Sequence, residues 1–290
     1  MRITKDVLRK IQHIEIYTKR LLKGTLIGDS RSALKGTGFE FDQIREYQVG
    51  DDVRSIDWNA SARMGSLLIK QYIEERSRTI FLLIDISRSS SFGSTTSGKR
   101  DVIAQVASVL ALVSDFGKDL VGLLLFSDVV EEYIPPGRGA FHVRKIMELL
   151  FSYQAKQVKT QISVAFEHLL RLKKKDAIVF VVSDFIDNQL ITYLPQIAVA
   201  YDVVAVRCLD DREQELPPIG FVVAQDIETG QVVTLDMRKK SALHPSLFLK
   251  NRLVKQDKLF KKYGINLLKI SQQHDFVGEL IRFFRKRMHY

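Results

Sequence analysis

Cysteine is nearly missing from this 290-residue chain: Cys208 is the single one, and it lies inside the apolar run VVAVRCL. One thiol cannot form a disulfide within the chain, nor a zinc site built on several thiolates, and the pattern suits a reducing compartment. Its expected place is the core, as a small buried hydrophobe. Long apolar runs are missing too. Nothing approaches the ~20 apolar residues that cross a bilayer, and the longest runs, such as residues 177–182, have the length of buried strands. The opening stretch MRITKDVLRKIQHIEIYTKR is charged throughout and lacks the apolar core of a secretory signal, so a cytoplasmic location is expected. Six histidines (His13, His142, His168, His244, His274 and His289) are scattered without a metal-ligand spacing. No Gly-x-Ser-x-Gly elbow and no Cys/His pair points to acyl transfer. Internal repeats and low-complexity tracts are also absent.

What is present is a 46% hydrophobic chain, enough for one sizeable core with a smaller appendage. The net charge of +10 is unevenly placed. Residues 1–36 carry +6 and residues 239–290 carry +10, which leaves −6 on the middle. Basic ends could attract nucleic acid, an anionic membrane surface or an acidic protein; solvated helix faces are the commoner reason for such a pattern.

Apolar residues at three- and four-residue spacing predict an amphipathic helix over 3–23, ending near Gly24. Residues 24–66, rich in Gly, Ser, Asp and Arg, read as mostly irregular. Strands are predicted at 67–75, 79–86, 119–127, 129–134, 176–183, 202–209 and 265–270. Helices are predicted at 100–117, 140–152, 161–174, 190–200, 246–263 and 276–287, with a hairpin over 220–235. Pro135-Pro136-Gly137 is expected to break the chain. This alternation predicts an α/β fold with a doubly wound, mostly parallel sheet. The organisation expected is an N-terminal piece, 1–76, packing on a domain formed by 77–290.

The most informative stretch is TIFLLIDISRS, residues 79–89. A β-branched apolar strand ends in Asp85-Ile86-Ser87-Arg88-Ser89, which sets one carboxylate and two hydroxyls at alternate positions. These are hard oxygen donors, suited to Mg²⁺, at the strand end where open α/β sheets bind ligands. Thr160, just before a helix, and Asp184, just after a strand, are candidates to join them from neighbouring loops. Five such donors, some acting through water, leave a place for an outside ligand, since Mg²⁺ takes about six oxygens near ~2.1 Å. Capping and turn formation account for the same Ser and Asp residues without a metal.

Two other segments invite chemistry. Gly93 to Lys99 has the Gly-x4-Gly-Lys spacing of a phosphate-binding loop, but Arg100 follows where Ser or Thr would hold Mg²⁺. It also begins well beyond the strand end, so a loop leading into a helix is expected instead. The segment from Gly36 to Arg76 mixes Arg45, Arg54, Arg63 and Lys70 with Asp51, Asp52, Asp57 and other acids around Trp58, the single tryptophan. No nucleophile or histidine accompanies those acids at suggestive spacing. The segment therefore reads as a bonded structural or docking network rather than a catalytic one.

The wording GTGFEFDQIREYQVGDDVRSIDWNASARMGSLLIKQYIEER followed by IDISRSSSFG resembles the bacterial family called domain of unknown function 58. VGLLLFSDVVEEYIPPGRG and IVFVVSDF extend the likeness over roughly residues 30–210. The resemblance implies a von Willebrand factor type A-like fold with a metal-ion-dependent adhesion site. In it Asp85, Ser87 and Ser89 match the Asp-x-Ser-x-Ser loop, Thr160 the threonine loop and Asp184 the last acidic loop. There the chain reads Ser183-Asp184-Phe185, where many type A domains have Thr-Asp-Gly. The resemblance further implies Mg²⁺ or Mn²⁺, completed by an acidic residue of a partner protein. The expected role is a non-catalytic adaptor or cochaperone of a MoxR-type AAA+ ATPase. A basic nucleic-acid or membrane-surface binder and a metal-dependent hydrolase are the alternative readings; nucleic acid is the less expected partner.

Overall fold

Helix α1 (Lys5–Leu26) shows the apolar spacing anticipated for it and continues past Gly24. Ile11 and Ile14 are buried, while Lys10 reaches Asp101 at 2.9 Å. The computed structural model describes residues 5–26, 39–74, 78–87, 98–155, 159–174, 176–187, 190–209, 220–225, 232–236, 244–271, 276, 278–280 and 283. Two units divide the chain: Met1–Arg20 together with Arg78–Tyr290, and Leu21–Ser77. Residues 1–20 thus cluster with the later part of the chain, whereas the expectation grouped them with the segment up to residue 76.

The smaller unit is more regular than its composition suggested. Strand β1 (Phe39–Glu46) pairs antiparallel with β2 (Leu68–Glu74), with an irregularity between Phe41 and Gln43. Helix α2 (Trp58–Met64) lies between them in sequence. Its ends are chemically marked. The Asp57 side chain accepts from the amides of Asn59 and Ala60, and Gly65 closes the helix in the left-handed region at φ 74°. The Asp52 side chain caps a 3₁₀ turn at Val53–Ser55 in the same way. Arg45 and Asp51 form a two-pronged pair at 2.8 Å for both bonds. The mixed charge therefore does supply bonds. Its acids, however, nucleate regular elements where an irregular segment was expected, because capping aspartates and a stop glycine look like loop residues in one dimension.

In the larger unit the strands are β3 (Thr79–Asp85), β4 (Leu120–Phe126), β5 (Val130–Gly137), β6 (Ala177–Ser183), β7 (Asp202–Leu209), β8 (Phe221–Gln225), β9 (Val232–Asp236) and β10 (Asn266–Ser271). The helices are α3 (Lys99–Phe116), α4 (Ala140–Ser152), α5 (Ile162–Leu172), α6 (Leu190–Ala200) and α7 (His244–Lys262). Six strands form one sheet in the order β10-β7-β6-β3-β4-β5, parallel throughout except for β5 at the edge. β8 and β9 make the expected hairpin, with its turn outside the described residues. β5 runs through Pro135-Pro136-Gly137, where a break was expected. An edge strand tolerates this, because one row of its amides has no ladder partner to lose.

β3, β4 and β6 are buried over nearly their whole length, as strands covered on both faces must be. Alternate residues divide between two helical layers. Phe81, Leu83, Val179 and Val181 join Phe166 of α5, Leu194 of α6 and Phe260 of α7 in one core cluster. The other face meets α3, whose Val106 and Leu110 are wholly buried. Cys208 is buried in β7, and its thiol is pushed up to about 12 by burial. Among the described residues, no helix is long and apolar enough to cross a membrane.

β4 carries a glycine at Gly122 for a packing reason. A Cβ there would stand 3.0 Å from the Phe81 ring and 3.2 Å from Pro136. Gly122→Val is expected to lower stability by about 1–3 kcal/mol through overpacking, read as a lower denaturation midpoint in urea with an unchanged slope.

Candidate functional site

The order of strands places the site. From β3 the chain moves outward to β4 and β5, then returns to the other side of β3 to lay down β6 and β7. The connections therefore leave β3 and β6 in opposite directions, and a crevice opens outside their carboxyl ends. Asp85 ends β3, Ser183 ends β6, and Asp184 follows it directly. Thr160 lies two residues before α5, and Lys99 is the first residue of α3.

Their side chains are linked in series. Thr160 Oγ1 donates to Ser87 Oγ at 2.6 Å, and Ser87 Oγ donates to Asp85 Oδ1 at 2.6 Å. The Ser87 amide also donates to Oδ1, at 3.0 Å. The other carboxylate oxygen, Asp85 Oδ2, accepts from Ser183 Oγ at 2.7 Å. Beside this series lies an ion pair. Lys99 Nζ donates to Asp184 Oδ2 at 2.8 Å, with the two side chains 1% and 2% exposed. Asp184 Oδ1 accepts from the Ile186 amide. Among these described residues Thr160 is only partly buried, whereas Asp85, Ser87, Ser183, Asp184 and Lys99 are buried.

The structure thus brings Asp85, Ser87, Thr160 and Asp184 to one sheet edge. Ser89 lies outside the described residues, as do Gly93 to Ser97 of the phosphate-loop imitation. Lys99, which closes that imitation, is committed to Asp184. Sequence reasoning missed Lys99, Ser183 and Asp187. Ser183 had a signal, its place beside Asp184 at a strand end; Lys99, 85 residues away from Asp184, had none. Asp187 accepts from the Ile162 amide at 2.8 Å, capping α5 from a different loop and thereby steadying the turn that carries Thr160. The Gln161 amide adds a bond to the Ser127 carbonyl.

The Asp184 loop is held from behind by α7. Gln256 Nε2 donates to the Phe185 carbonyl at 2.6 Å, and Gln256 accepts from the buried Arg207 at 3.2 Å. Phe185 sits at φ 60°, in the left-handed region, with its ring edge-on to Phe260 at 5.3 Å between centroids. The chain keeps the backbone geometry that glycine would adopt freely at this place and offsets the strain by burying an aromatic ring.

Two carboxylates so close in a dry site repel. Burial first, and the Asp184 charge second, push Asp85 up to about 6, against the pull of the Ser87 and Ser183 hydrogen bonds. The donor set of carboxylate and hydroxyl oxygens suits a hard cation such as Mg²⁺. Among the described residues, no three His, Cys, Asp or Glu side chains converge on one point. Hydroxyls would therefore have to supply part of any coordination here.

Residues 43–246 match the family described as "Protein of unknown function DUF58". Uncharacterized protein Rv1480 of Mycobacterium tuberculosis is 28% identical over 288 residues, covering 96% of this chain and 88% of its own. The crystal structure of conserved hypothetical protein BatB from Bacteroides thetaiotaomicron aligns with a TM-score of 0.50 at 14% identity, covering 74% of this chain and all of that one. The SpRpn10 VWA domain aligns at a TM-score of 0.40 and 12% identity, covering 71% of this chain and 94% of that one. The fold is α/β and doubly wound, with the mostly parallel sheet that was expected, and the likeness to the BatB structure is one of fold.

Two outcomes are expected from this geometry. In metal-free protein the raised Asp85 pKa makes its ionisation a cost to the folded state. That cost is absent below the ordinary 3.8, grows as pH rises toward about 6 and is constant above it. Asp85→Asn should flatten this fall in stability, which is on the order of 3 kcal/mol, in urea unfolding measured across that window. At the Asp184 loop, Phe185→Gly should be at least as stable as Phe185→Ala. The left-handed φ costs an alanine about 1–2 kcal/mol, which reverses the usual ranking of the two residues; equilibrium unfolding of both variants checks it.

Proposed function

From a chain that belongs to the DUF58 family and gathers oxygen donors from three loops at a sheet switch point, we propose a non-catalytic, metal-dependent protein-interaction module. In this reading Mg²⁺ or Mn²⁺ is held by Asp85, Ser87, Ser89, Thr160 and Asp184, and an acidic side chain of a partner completes its coordination. The partner proposed is a MoxR-type AAA+ ATPase, with this chain as its cytoplasmic adaptor or cochaperone.

The observation that carries the reading is the hydrogen-bonded series Thr160–Ser87–Asp85–Ser183, which ties three chain segments together around hard oxygens. Charge supports the partner's part in it. Asp85 and Asp184 contribute two negative charges when ionised and Lys99 one positive, so a divalent ion would leave one positive charge over. An incoming carboxylate neutralises that remainder, and a charge-assisted contact of this kind adds both affinity and direction. Hydroxyl ligands also serve binding better than chemistry: among the described residues, Asp85 is bonded to Ser87 and Ser183 and Asp184 to Lys99, so both acids are engaged rather than poised to activate a water.

The test is calorimetric titration with Mn²⁺ and Mg²⁺ of wild type, Asp85→Ala and Ser87→Ala. Affinity should fall at least ~10-fold in both variants, and equal binding by all three would sink the assignment. Capture of the MoxR-type ATPase should be lost in chelator and in Asp85→Ala alike, with no turnover of nucleotides or phosphoesters by this chain alone.

A further inference from the structure

We propose that Lys99 is a resident counter-ion that weakens the hold of this site on a divalent cation and, in return, strengthens the cation's hold on an outside carboxylate. The inference rests on the metal-binding reading above and extends it to a residue outside the ligand set.

The geometry is specific. Lys99 opens α3, so its amine rises from the helix start into the crevice between β3 and β6. It meets Asp184 at 2.8 Å with both groups essentially removed from water. Gly98, which precedes it, makes no side-chain cap at that helix end. A lysine is among the costliest residues to bury, and it persists in such a place only when its charge is matched. Asp184 matches it. Asp85 belongs to the same electrostatic group, since the Asp184 charge acts on it. Cys208 feels both members of the pair, lowered by Lys99 and raised by Asp184. The ammonium thus already holds one of the oxygens a divalent ion would use, Asp184 Oδ2.

Two consequences follow from charge alone. A divalent ion approaching Asp184 has to share that carboxylate with the ammonium, or displace it, and meets like-charge repulsion at short range in a dry site. Metal affinity is therefore lower than the oxygen set would give without Lys99. Once bound, the ion is only partly neutralised, because one of the two acids is already matched. The excess positive charge favours an anionic ligand from outside. Neutralising Lys99 reverses both effects: the cation is held more tightly and becomes a poorer acceptor for a carboxylate. Opposite movement of the two affinities is a signature that mere loss of packing would not produce.

The experiment uses the full chain with Mn²⁺ and acetate as probes. Lys99→Gln removes the charge and keeps an N–H donor toward Asp184. Lys99→Met removes charge and donor together, and Lys99→Arg keeps the charge. Circular dichroism and a thermal melt establish which variants fold, and either neutral variant suffices. Mn²⁺ is titrated calorimetrically, and acetate is then titrated into Mn²⁺-loaded protein with water-proton relaxation as the readout. Expected for the neutral variants are Mn²⁺ binding tighter by about tenfold or more and acetate binding weaker by several-fold, with Lys99→Arg close to wild type. If wild type binds Mn²⁺ in an Asp85-dependent way and the neutral variants bind it no more tightly, the role given to Lys99 is overturned while the metal site stands. If neutral variants bind Mn²⁺ more tightly with acetate affinity unchanged, the carboxylate half of the proposal is overturned. If neither wild type nor any variant takes up Mn²⁺, the metal reading falls and this proposal with it.

Discussion

Asp85 stands at the end of a strand whose other side chains are almost wholly apolar, and its carboxylate is 1% exposed. A charge in that place has to be given hydrogen bonds or it shifts to its neutral form. Most of the site's construction answers that requirement. Ser87 turns back on the loop to donate through both its amide and its hydroxyl, and Ser183 donates from the neighbouring strand. Thr160 supports Ser87 from the start of α5. Each hydrogen bond to an ionised group contributes about 1.5–3 kcal/mol, so the ends of β3 and β6 and the turn before α5 are bound together by meeting the needs of a single carboxylate.

Around that carboxylate the rest of the sheet acts as a frame. Parallel pairing of β3 with both β4 and β6 brings the strand ends level, and the return of the chain across β3 leaves the crevice between them. The helices then supply what strands cannot: α3 brings the Lys99 charge, α5 brings Thr160, and α7 steadies the Asp184 loop through Gln256 and Phe260. The left-handed Phe185 shows how firmly the last is done, because a non-glycine residue keeps that conformation only where its surroundings over-determine it. A site built this way holds its groups still, which suits recognition of a fixed ligand geometry.

The pairing of a buried lysine with one of two acids also sets the electrostatic character of the crevice. With Lys99 present, the group carries a single net negative charge when both acids are ionised. That is weaker attraction for a cation than two acids alone would exert, and in the proposed reading it would leave a bound divalent ion electrophilic toward a further carboxylate. The same lysine ends a stretch that imitates a phosphate-binding loop in its spacing. Its place at the start of α3, bonded to Asp184, gives that residue a different task.

Much of this was legible in one dimension because it depends on local chemistry. Short apolar runs of strand length, bounded by turn signals, read as buried strands, and their alternation with amphipathic helices indicated a parallel α/β sheet. The same reading placed Asp85 and Asp184 at strand ends and Thr160 at a helix start. The regular elements of residues 39–64 escaped it, because a capping aspartate and a loop aspartate are the same letter until the helix is seen. So did the passage of β5 through two prolines, which edge position alone permits. Tertiary structure alone decided the partners. That Ser183 answers Asp85, that Asp187 caps a helix from another loop, and that Lys99 crosses the crevice to Asp184 depend on which strands lie side by side. A sheet that doubles back brings residues from distant parts of the chain within one hydrogen bond, and local sequence carries no record of that distance.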